Sequence, residues 1–416
     1  MAPSTDAVFF RGLPCYSDKK ALPGAGRGSS LEETYRRIDP LMPRIGVTRV
    51  ADITGADRLG IPVTGVVRPL SPIQVYSWGK GATLLQAKIS GMMEAIERHC
   101  GESCELPSVR TSWKNLEGPK IPLHLLALKK NHLFSPERPE RWVLGWDLME
   151  QEEVFAPLHL VRLSFQRDLP GETESFQCTS NGLSAGNSFV EALCSGLYEC
   201  IERDAVTCWE LYNRSRGISL PGCRVPRKLL THPLLEELLE TCHREGVEVL
   251  LLDCTVDTRV PTYACYLRDE RYPEYGVYHG RGTHLNPEIA IARALTEAAQ
   301  GRCVYLFGGH DGASLETQYG VAFGARESLH SRGARLQEVS ELPSCDEALT
   351  FQEDVHLLLE RLREAGLFRV LLWDLTDPAL GVPVLRILVP GLEGWRMHHY
   401  APGERGLRFA RKGGES

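Results

Sequence analysis

The chain has 416 residues, 43% of them hydrophobic, with a net charge of −7 and an isoelectric point near 6.0. That is apolar material for a large core and length for two or three domains. The acidic balance argues against a nucleic-acid or anionic-membrane partner. No apolar run approaches the ~18 residues of a membrane span, and the Met-Ala-Pro-Ser-Thr-Asp start has neither the basic nor the apolar part of a secretory signal. A cytoplasmic location is expected, with the 13 cysteines kept reduced.

In chain order, Ser30-Leu-Glu-Glu-Thr34 opens the first helix. Gly81–Arg98 reads as a second helix behind a Gly-rich turn, and Gly118-Pro119-Lys120 as a linker. Thr111–Leu163 holds strand-like pieces such as Arg141–Trp146. Gly186–Arg203 reads as another helix, in which Cys194, Cys200 and Cys208 are expected as small buried side chains. Leu234–Gly246 is a helix with a glycine cap, followed by strands at Val247–Thr255 and Val260–Leu267. Ala290–Gln300 is a further helix, and polar Arg326–Cys345 is expected as a mobile loop near a site. Val355–Gly366, Val370–Thr376 and Val382–Val389 then repeat the order capped helix, strand with Asp-x-Thr, strand led by Val-Pro. Asp253 and Asp374 are expected to cap the ends of their strands. This recurrence predicts an α/β (α+β) fold of pseudo-repeated helix–strand units. The adjacent His398 and His399 point apart and are read as part of a loop. Cys100 and Cys104 with His99 do not make a structural zinc site.

The helices at Gly81–Arg98 and Gly186–Arg203 carry a duplication. Gly81-ATLLQAKISGMMEAIE-Arg98 and Gly186-NSFVEALCSGLYECIE-Arg203 align without a gap. They share Gly81/Gly186, Ala87/Ala192, Ser90/Ser195, Gly91/Gly196, Glu94/Glu199, Ile96/Ile201, Glu97/Glu202 and Arg98/Arg203. A helix duplicated only for packing would keep its apolar stripe. This pair keeps a hydroxyl, two carboxylates and a guanidinium. At ~100° per residue, Ser90, Glu94, Glu97 and Arg98 fall within about a 100° arc, and so does the second set. Paired carboxylates on one face repel unless a cation joins them. Mg²⁺ takes such oxygens together with phosphate and water, and neighbouring arginines grip phosphate. The plainer alternative is a set of intrahelical ion pairs on solvated faces. A third copy, Ala290-Ile-Ala-Arg-Ala-Leu-Thr-Glu-Ala-Ala-Gln300, keeps Glu297 and has an amide where the others have their second glutamate. Each copy follows a polar or Gly-rich turn, at Trp78–Gly81, Ser180–Gly186 and His279–Thr283, of a kind that presents backbone N–H groups to an anion. None is a Walker A loop.

Ser90-x-x-x-Glu94-Ala95-x-Glu97-Arg98, Ser195-x-x-x-Glu199-x-x-Glu202-Arg203 and Glu297-x-x-Gln300 closely resemble the three nucleotide-binding motifs of the YcaO family. The flanks agree at Ser77-Trp-Gly-Lys-Gly81, Asn181–Gly186 and Glu202-Arg-Asp-Ala205, and the resemblance runs from about Arg27 to Glu393. It implies ATP and Mg²⁺ as cofactors. Phosphorylation of a peptide-amide oxygen would be followed by its displacement: by a side-chain nucleophile to an azoline, by sulfide to a thioamide, or by an amine to an amidine. On this resemblance Glu94, Glu97, Glu199 and Glu202 hold metal. Lys80, Ser90, Arg98, Ser184, Asn187, Arg203, Gln300 and Arg302 contact the nucleotide. Arg27, Lys20 and Glu191 are further candidates. No residue is assigned as catalytic acid or base.

The implied layout is an N-terminal segment over residues 1–26, a YcaO-like catalytic domain over 27–400 and a polar flexible tail over 401–416. That tail lacks the proline-rich end of azoline-forming members that work with a docking protein, and no fused leader-binding domain is expected. Val382–Glu393 instead resembles standalone members paired with a TfuA-type protein and linked to thioamide formation. The implied partners are a peptide or protein substrate, a TfuA-like protein and a sulfur donor, with room for a homodimer. The alternatives are an azoline or amidine product, or an ATPase accessory factor for ribosomal protein methylthiolation.

Overall fold

The structure is a computed structural model that describes residues 7–22, 25–163, 175–215, 222–273, 276–308, 328–333, 336–394 and 400–414. Two short hairpins open the chain, β1 (Val8–Phe10) with β2 (Leu13–Cys15) and β3 (Lys20–Leu22) with β4 (Ala25–Arg27). Helix α1 (Leu31–Ile38) follows, closed by a capping box in which Ser30 and Glu33 exchange hydrogen bonds. The expectation for Lys20 concerns a side chain outside the described residues, as do His398 and His399.

Three larger sheets carry the body. The first is β5 (Arg49–Asp52), β6 (Val63–Val67) and β7 (Tyr76–Lys80), in that order. The second has six strands: β8 (Ser108–Ser112), β9 (Pro139–Asp147), β10 (Glu152–Pro157), β11 (Leu183–Ala185), β16 (Leu371–Asp374) and β17 (Val384–Leu388). Its path is β10-β9-β16-β17-β11, with β8 beside β9. The third is β12 (Cys223–Arg224), β13 (Val247–Asp253), β14 (Thr262–Asp269) and β15 (Val277–Thr283), in order. Every described strand pair is antiparallel, so the fold is α+β. No helix among the described residues is long and apolar enough to cross a membrane.

The helices cover these sheets. α2 (Leu84–Ser103) packs on β6 and β7, and a single turn, α3 (Leu158–Val161), follows β10. α4 (Phe189–Ser215) packs on β11 and β17. α5 (Pro233–Arg244) leads into β13, and α6 (Pro287–Leu306) packs on β14 and β15. α7 (Leu329–Gly333), α8 (Phe351–Glu364) and α9 (Glu404–Gly414) complete the set. Met92, Ile96 and Cys100 of α2 join one face of the six-stranded sheet in one core. Leu193, Leu197 and Ile201 of α4 fill a second core with α8 and the opposite face. All three α4 side chains are fully buried, each contributing roughly 1.5–3 kcal/mol. Cys194, Cys200 and Cys208 are buried as expected.

The duplicated units are built alike. In each, the strand before the motif helix lies almost against its backbone. A Cβ on Gly79 would sit 1.9 Å from the Ala87 carbonyl oxygen, and one on Gly280 would sit 2.2 Å from that of Ala294, so only glycine fits. Thr64 Oγ1 donates to the Ala87 carbonyl and Ser184 Oγ to that of Ala192, each at 2.8 Å. These are the same position in the two repeats. The second echo also holds. Gly246 (φ +66°) and Gly366 (φ +82°) end α5 and α8 in the left-handed conformation. Asp253 and Asp374 accept from the Thr255 and Thr376 N–H groups at 2.8 and 3.0 Å.

Three expectations are corrected. Residues 118–120 are no free linker: Phe155 N–H donates to the Pro119 carbonyl at 2.8 Å, and Ile121 N–H to that of Phe155 at 3.1 Å. Within 326–345, the described residues are tied to the four-stranded sheet, with Leu329 N–H on Glu248 at 3.0 Å and Arg224 N–H on the Gln337 carbonyl at 2.7 Å. Within the expected tail over 401–416, the described residues are not a loose polar end. Residues 404–414 form α9, which packs along α4. Most of its charged residues face solvent, and the one buried is Arg405, only 6% exposed.

Candidate functional site

The sequence of each motif helix dictates its start. Thr83 caps α2 in a capping box with Gln86, Ser188 Oγ accepts the Glu191 N–H at 3.2 Å at the head of α4, and Asn286 caps α6. The three helices then turn their motif carboxylates toward one another.

On α2, Glu94 Oε1 accepts Arg98 Nε at 3.0 Å and Nη2 at 2.6 Å, and Glu94 Oε2 accepts the Trp78 N–H at 3.1 Å. Glu97 Oε1 accepts the Ala185 N–H of β11 at 2.7 Å, joining the first motif to the strand before the second. On α4, Arg203 Nη2 lies 3.6 Å from Glu199 Oε1 and 3.9 Å from Glu202 Oε1. On α6, Glu297 forms a short ion pair with Lys80 of β7, closing the ring from the third motif to the first. Gln300 stands half-buried one turn beyond Glu297, and Ser90 is half-buried on α2.

The electrostatics show that these groups share one space. Burial pushes Glu97 well above the ordinary carboxylate range, against the Ala185 N–H, and the charges of Glu94 and Glu199 push it further. Burial also raises Glu199, with Glu202 adding to the effect and Arg203 opposing it. Burial alone would lift Glu297, but Lys80 and Arg203 override it and bring it down to about 2. Burial disfavours the Arg203 charge, yet Glu202, Glu199 and Glu297 hold its guanidinium above its usual range. The named carboxylates therefore outnumber Lys80, Arg98 and Arg203.

No three His, Cys, Asp or Glu groups among the described residues converge as a ready-made metal site, because Lys80, Arg98 and Arg203 engage the glutamates. The donor set still fits Mg²⁺. Mutually repelling carboxylates from neighbouring helices, with Glu202 buried and Glu94 and Glu199 partly exposed, are hard oxygen ligands of the kind Mg²⁺ takes. The adjacent cations are suited to phosphate once they exchange partners.

Other expected residues lie elsewhere. Ser184 is buried and donates its hydroxyl to the Ala192 carbonyl of α4. Arg302 is misassigned: it is 1% exposed, with Nε on Asp57 Oδ2 and Nη2 on Asp269 Oδ2, both at 2.9 Å. Asn187 lies at the head of α4, where its Oδ1 accepts Thr34 Oγ1 at 2.9 Å and Arg37 Nη2 at 2.8 Å. Glu191 beside it is buried and accepts Gly28 N–H at 3.1 Å and Arg27 Nη1 at 3.3 Å. The N-terminal segment is thereby stitched to the helix start, with Arg27 half exposed at the rim. Sequence reasoning missed Arg386 of β17. It is buried, it donates to the Leu160 and Thr179 carbonyls at 2.7 Å, and its charge acts on Glu199. A lone arginine in an apolar strand was its only sequence signal.

Comparison with known proteins agrees with this geometry. The family profile described as YcaO cyclodehydratase, ATP- and Mg²⁺-binding, matches residues 78–393. The structure of YcaO from Methanopyrus kandleri bound with AMPPCP and Mg²⁺ superimposes with a TM-score of 0.72 at 28% identity, covering 91% of this chain and 95% of that one. A heterocyclase in complex with substrate and cofactor superimposes at 0.77 with 24% identity, over 94% of this chain but 55% of that one, a likeness of fold. An uncharacterized protein in the tfuA 3′ region of Rhizobium leguminosarum bv. trifolii is 28% identical over 405 residues, 92% of this chain and 90% of the relative. With the three motif helices converging on one carboxylate cluster and the family profile spanning most of its length, the chain belongs to the YcaO family of ATP- and Mg²⁺-binding proteins.

Proposed function

We propose that this chain activates a backbone amide of a peptide or protein with ATP and that a sulfur nucleophile then converts it to a thioamide. The observation that carries the activation step is the cluster of Glu94, Glu97, Glu199 and Glu202 facing Lys80, Arg98 and Arg203. Phosphoryl transfer asks of a protein mainly positioning and charge neutralisation, and this site is built from those two elements. Mg²⁺ held by the four glutamates would neutralise phosphate charge. Lys80, Arg98 and Arg203 bind phosphate oxygens, Gln300 and Ser90 orient the nucleotide, and Arg27 closes the rim.

In the reaction, the amide oxygen bonds to the γ-phosphorus as the β–γ bridging P–O bond breaks, and ADP leaves. Sulfide adds to the amide carbon. The C–O bond then breaks, inorganic phosphate departs, and the amide nitrogen keeps its proton. The relative in the tfuA region supports sulfur as the nucleophile. The test is mass spectrometry of a peptide encoded beside this gene, incubated with the protein, ATP, Mg²⁺ and sulfide. Replacement of one oxygen by sulfur, with one ADP per product, is expected. Loss of water would make the product an azoline, and ADP release from an unchanged peptide would sink amide activation.

A further inference from the structure

α9 lies against the second half of α4, and a buried charged network rather than an apolar seam joins them. Arg405 Nε donates to Asp204 Oδ1 at 2.8 Å and Oδ2 at 3.0 Å, and its Nη2 donates to Oδ2 at 2.9 Å. Its Nη1 reaches Asp257 Oδ2 at 3.1 Å. Asp204 is fully buried, and its Oδ1 also accepts the Glu393 N–H at 2.8 Å. Glu393 in turn accepts the Gly403 and Gly406 N–H groups at 3.1 and 2.6 Å and the Tyr400 hydroxyl. Two arms of this web, the Arg405 guanidinium and the Glu393 N–H, meet on α4 at Asp204, the residue that follows Glu202 and Arg203.

At ~100° per residue, Asp204 lies about 200° round the helix from Glu202. The web therefore holds the back of the turn whose front faces the carboxylate cluster. A buried ion pair is a poor source of net stability, because desolvation offsets the attraction. What a forked guanidinium does supply is a fixed direction, because two parallel bonds define the orientation of the carboxylate. Sites that act through placed charge need their groups held within ~0.5 Å.

We propose that Arg405 is a positioning residue: by clamping Asp204 it sets the rotation of α4, and so the placement of Glu202 and Arg203 toward Mg²⁺ and phosphate. This rests on the nucleotide site proposed above. The test uses the full chain as wild type, Arg405→Lys, Arg405→Met and the double variant Asp204→Asn/Arg405→Met. For each, the melting temperature and the calorimetric Kd for ATP with Mg²⁺ are measured well below melting. Arg405→Met is expected to weaken Mg²⁺-dependent binding by ~10-fold or more, and Arg405→Lys, a point charge without the fork, to recover part of it. The double variant leaves no unpaired buried charge at position 204, and the amide oxygen introduced there still accepts the Glu393 N–H. Its melting temperature returns toward wild type while its affinity stays low. Recovery of affinity together with melting temperature, or wild-type affinity in Arg405→Met, overturns the clamp alone. Absence of Mg²⁺-dependent binding by wild type overturns the nucleotide site and the clamp with it.

Discussion

Glu97 and Glu199 are the two motif carboxylates held above the ordinary range, Glu97 well above it. In each, burial is the largest cause and neighbouring carboxylates add to it. Because their folded values exceed the unfolded 4.5, the protonated forms stabilise the fold below pH 4.5, and that contribution is lost as pH rises through the raised values. Mg²⁺ requires ionised carboxylates, so its binding expels whatever protons they still hold. Above pH 4.5 and below the raised values, affinity for ATP with Mg²⁺ should climb with pH, by up to ~10-fold per unit for each proton released, or ~1.4 kcal/mol. Titration in two buffers of different ionisation enthalpy counts those protons, and titration of Mg²⁺ into ATP without protein subtracts those of the nucleotide. Glu97→Gln holds no such proton, so whatever Mg²⁺-dependent binding it retains should release fewer protons than wild type. Equal counts in wild type and Glu97→Gln, or an affinity that falls as pH rises, would refute the shared carboxylate site.

Arg302→Met should lower stability by ~3–5 kcal/mol in urea, because it strips the cation from buried Asp57 and one of two from Asp269, which keeps Arg58, while leaving ATP affinity of the folded protein unchanged. Lost affinity at unchanged stability would return Arg302 to the nucleotide site. Glu297, brought down to about 2 against burial by Lys80 and Arg203, contributes stability that is present above pH 4.5 and lost as pH falls toward 2, roughly 3 kcal/mol at most. Lys80→Met should flatten that acid limb in denaturation curves, and an unaltered limb would refute the pairing. Gly79→Ala puts a methyl into the Ala87 carbonyl, so its unfolding free energy should drop by the ~1–3 kcal/mol of an overpacked contact, lowering its urea midpoint. A wild-type midpoint would mean that α2 can lift off β7.

The motif helices were legible because their duplicated residues are polar, and polar identity at fixed helical spacing has few causes other than chemistry. The helix–strand–strand echo was legible from glycine caps and apolar runs. Strand pairing was not: nothing local says that Asp147 meets Leu371 across the six-stranded sheet. Arg302 was misread because it is near Glu297 in sequence. Five residues on, it lies about 140° round the helix and faces Asp57 and Asp269. The hydrogen bond from Ser184 to the Ala192 carbonyl was not legible either, because it depends on the register of β11 against α4. The C-terminal helix was hidden because its buried contact is a charge pair between residues 201 positions apart, a relation that polar composition does not reveal.

The most direct test of the central claim is calorimetric titration of ATP with Mg²⁺ into wild type, Glu94→Gln and Glu202→Gln, with folding verified by melting. The expected result is Mg²⁺-dependent binding by wild type and its loss in both folded variants, since the two glutamates come from different helices of one metal site. Wild-type affinity in both variants would contradict the claim that ATP and Mg²⁺ meet between the repeated helices.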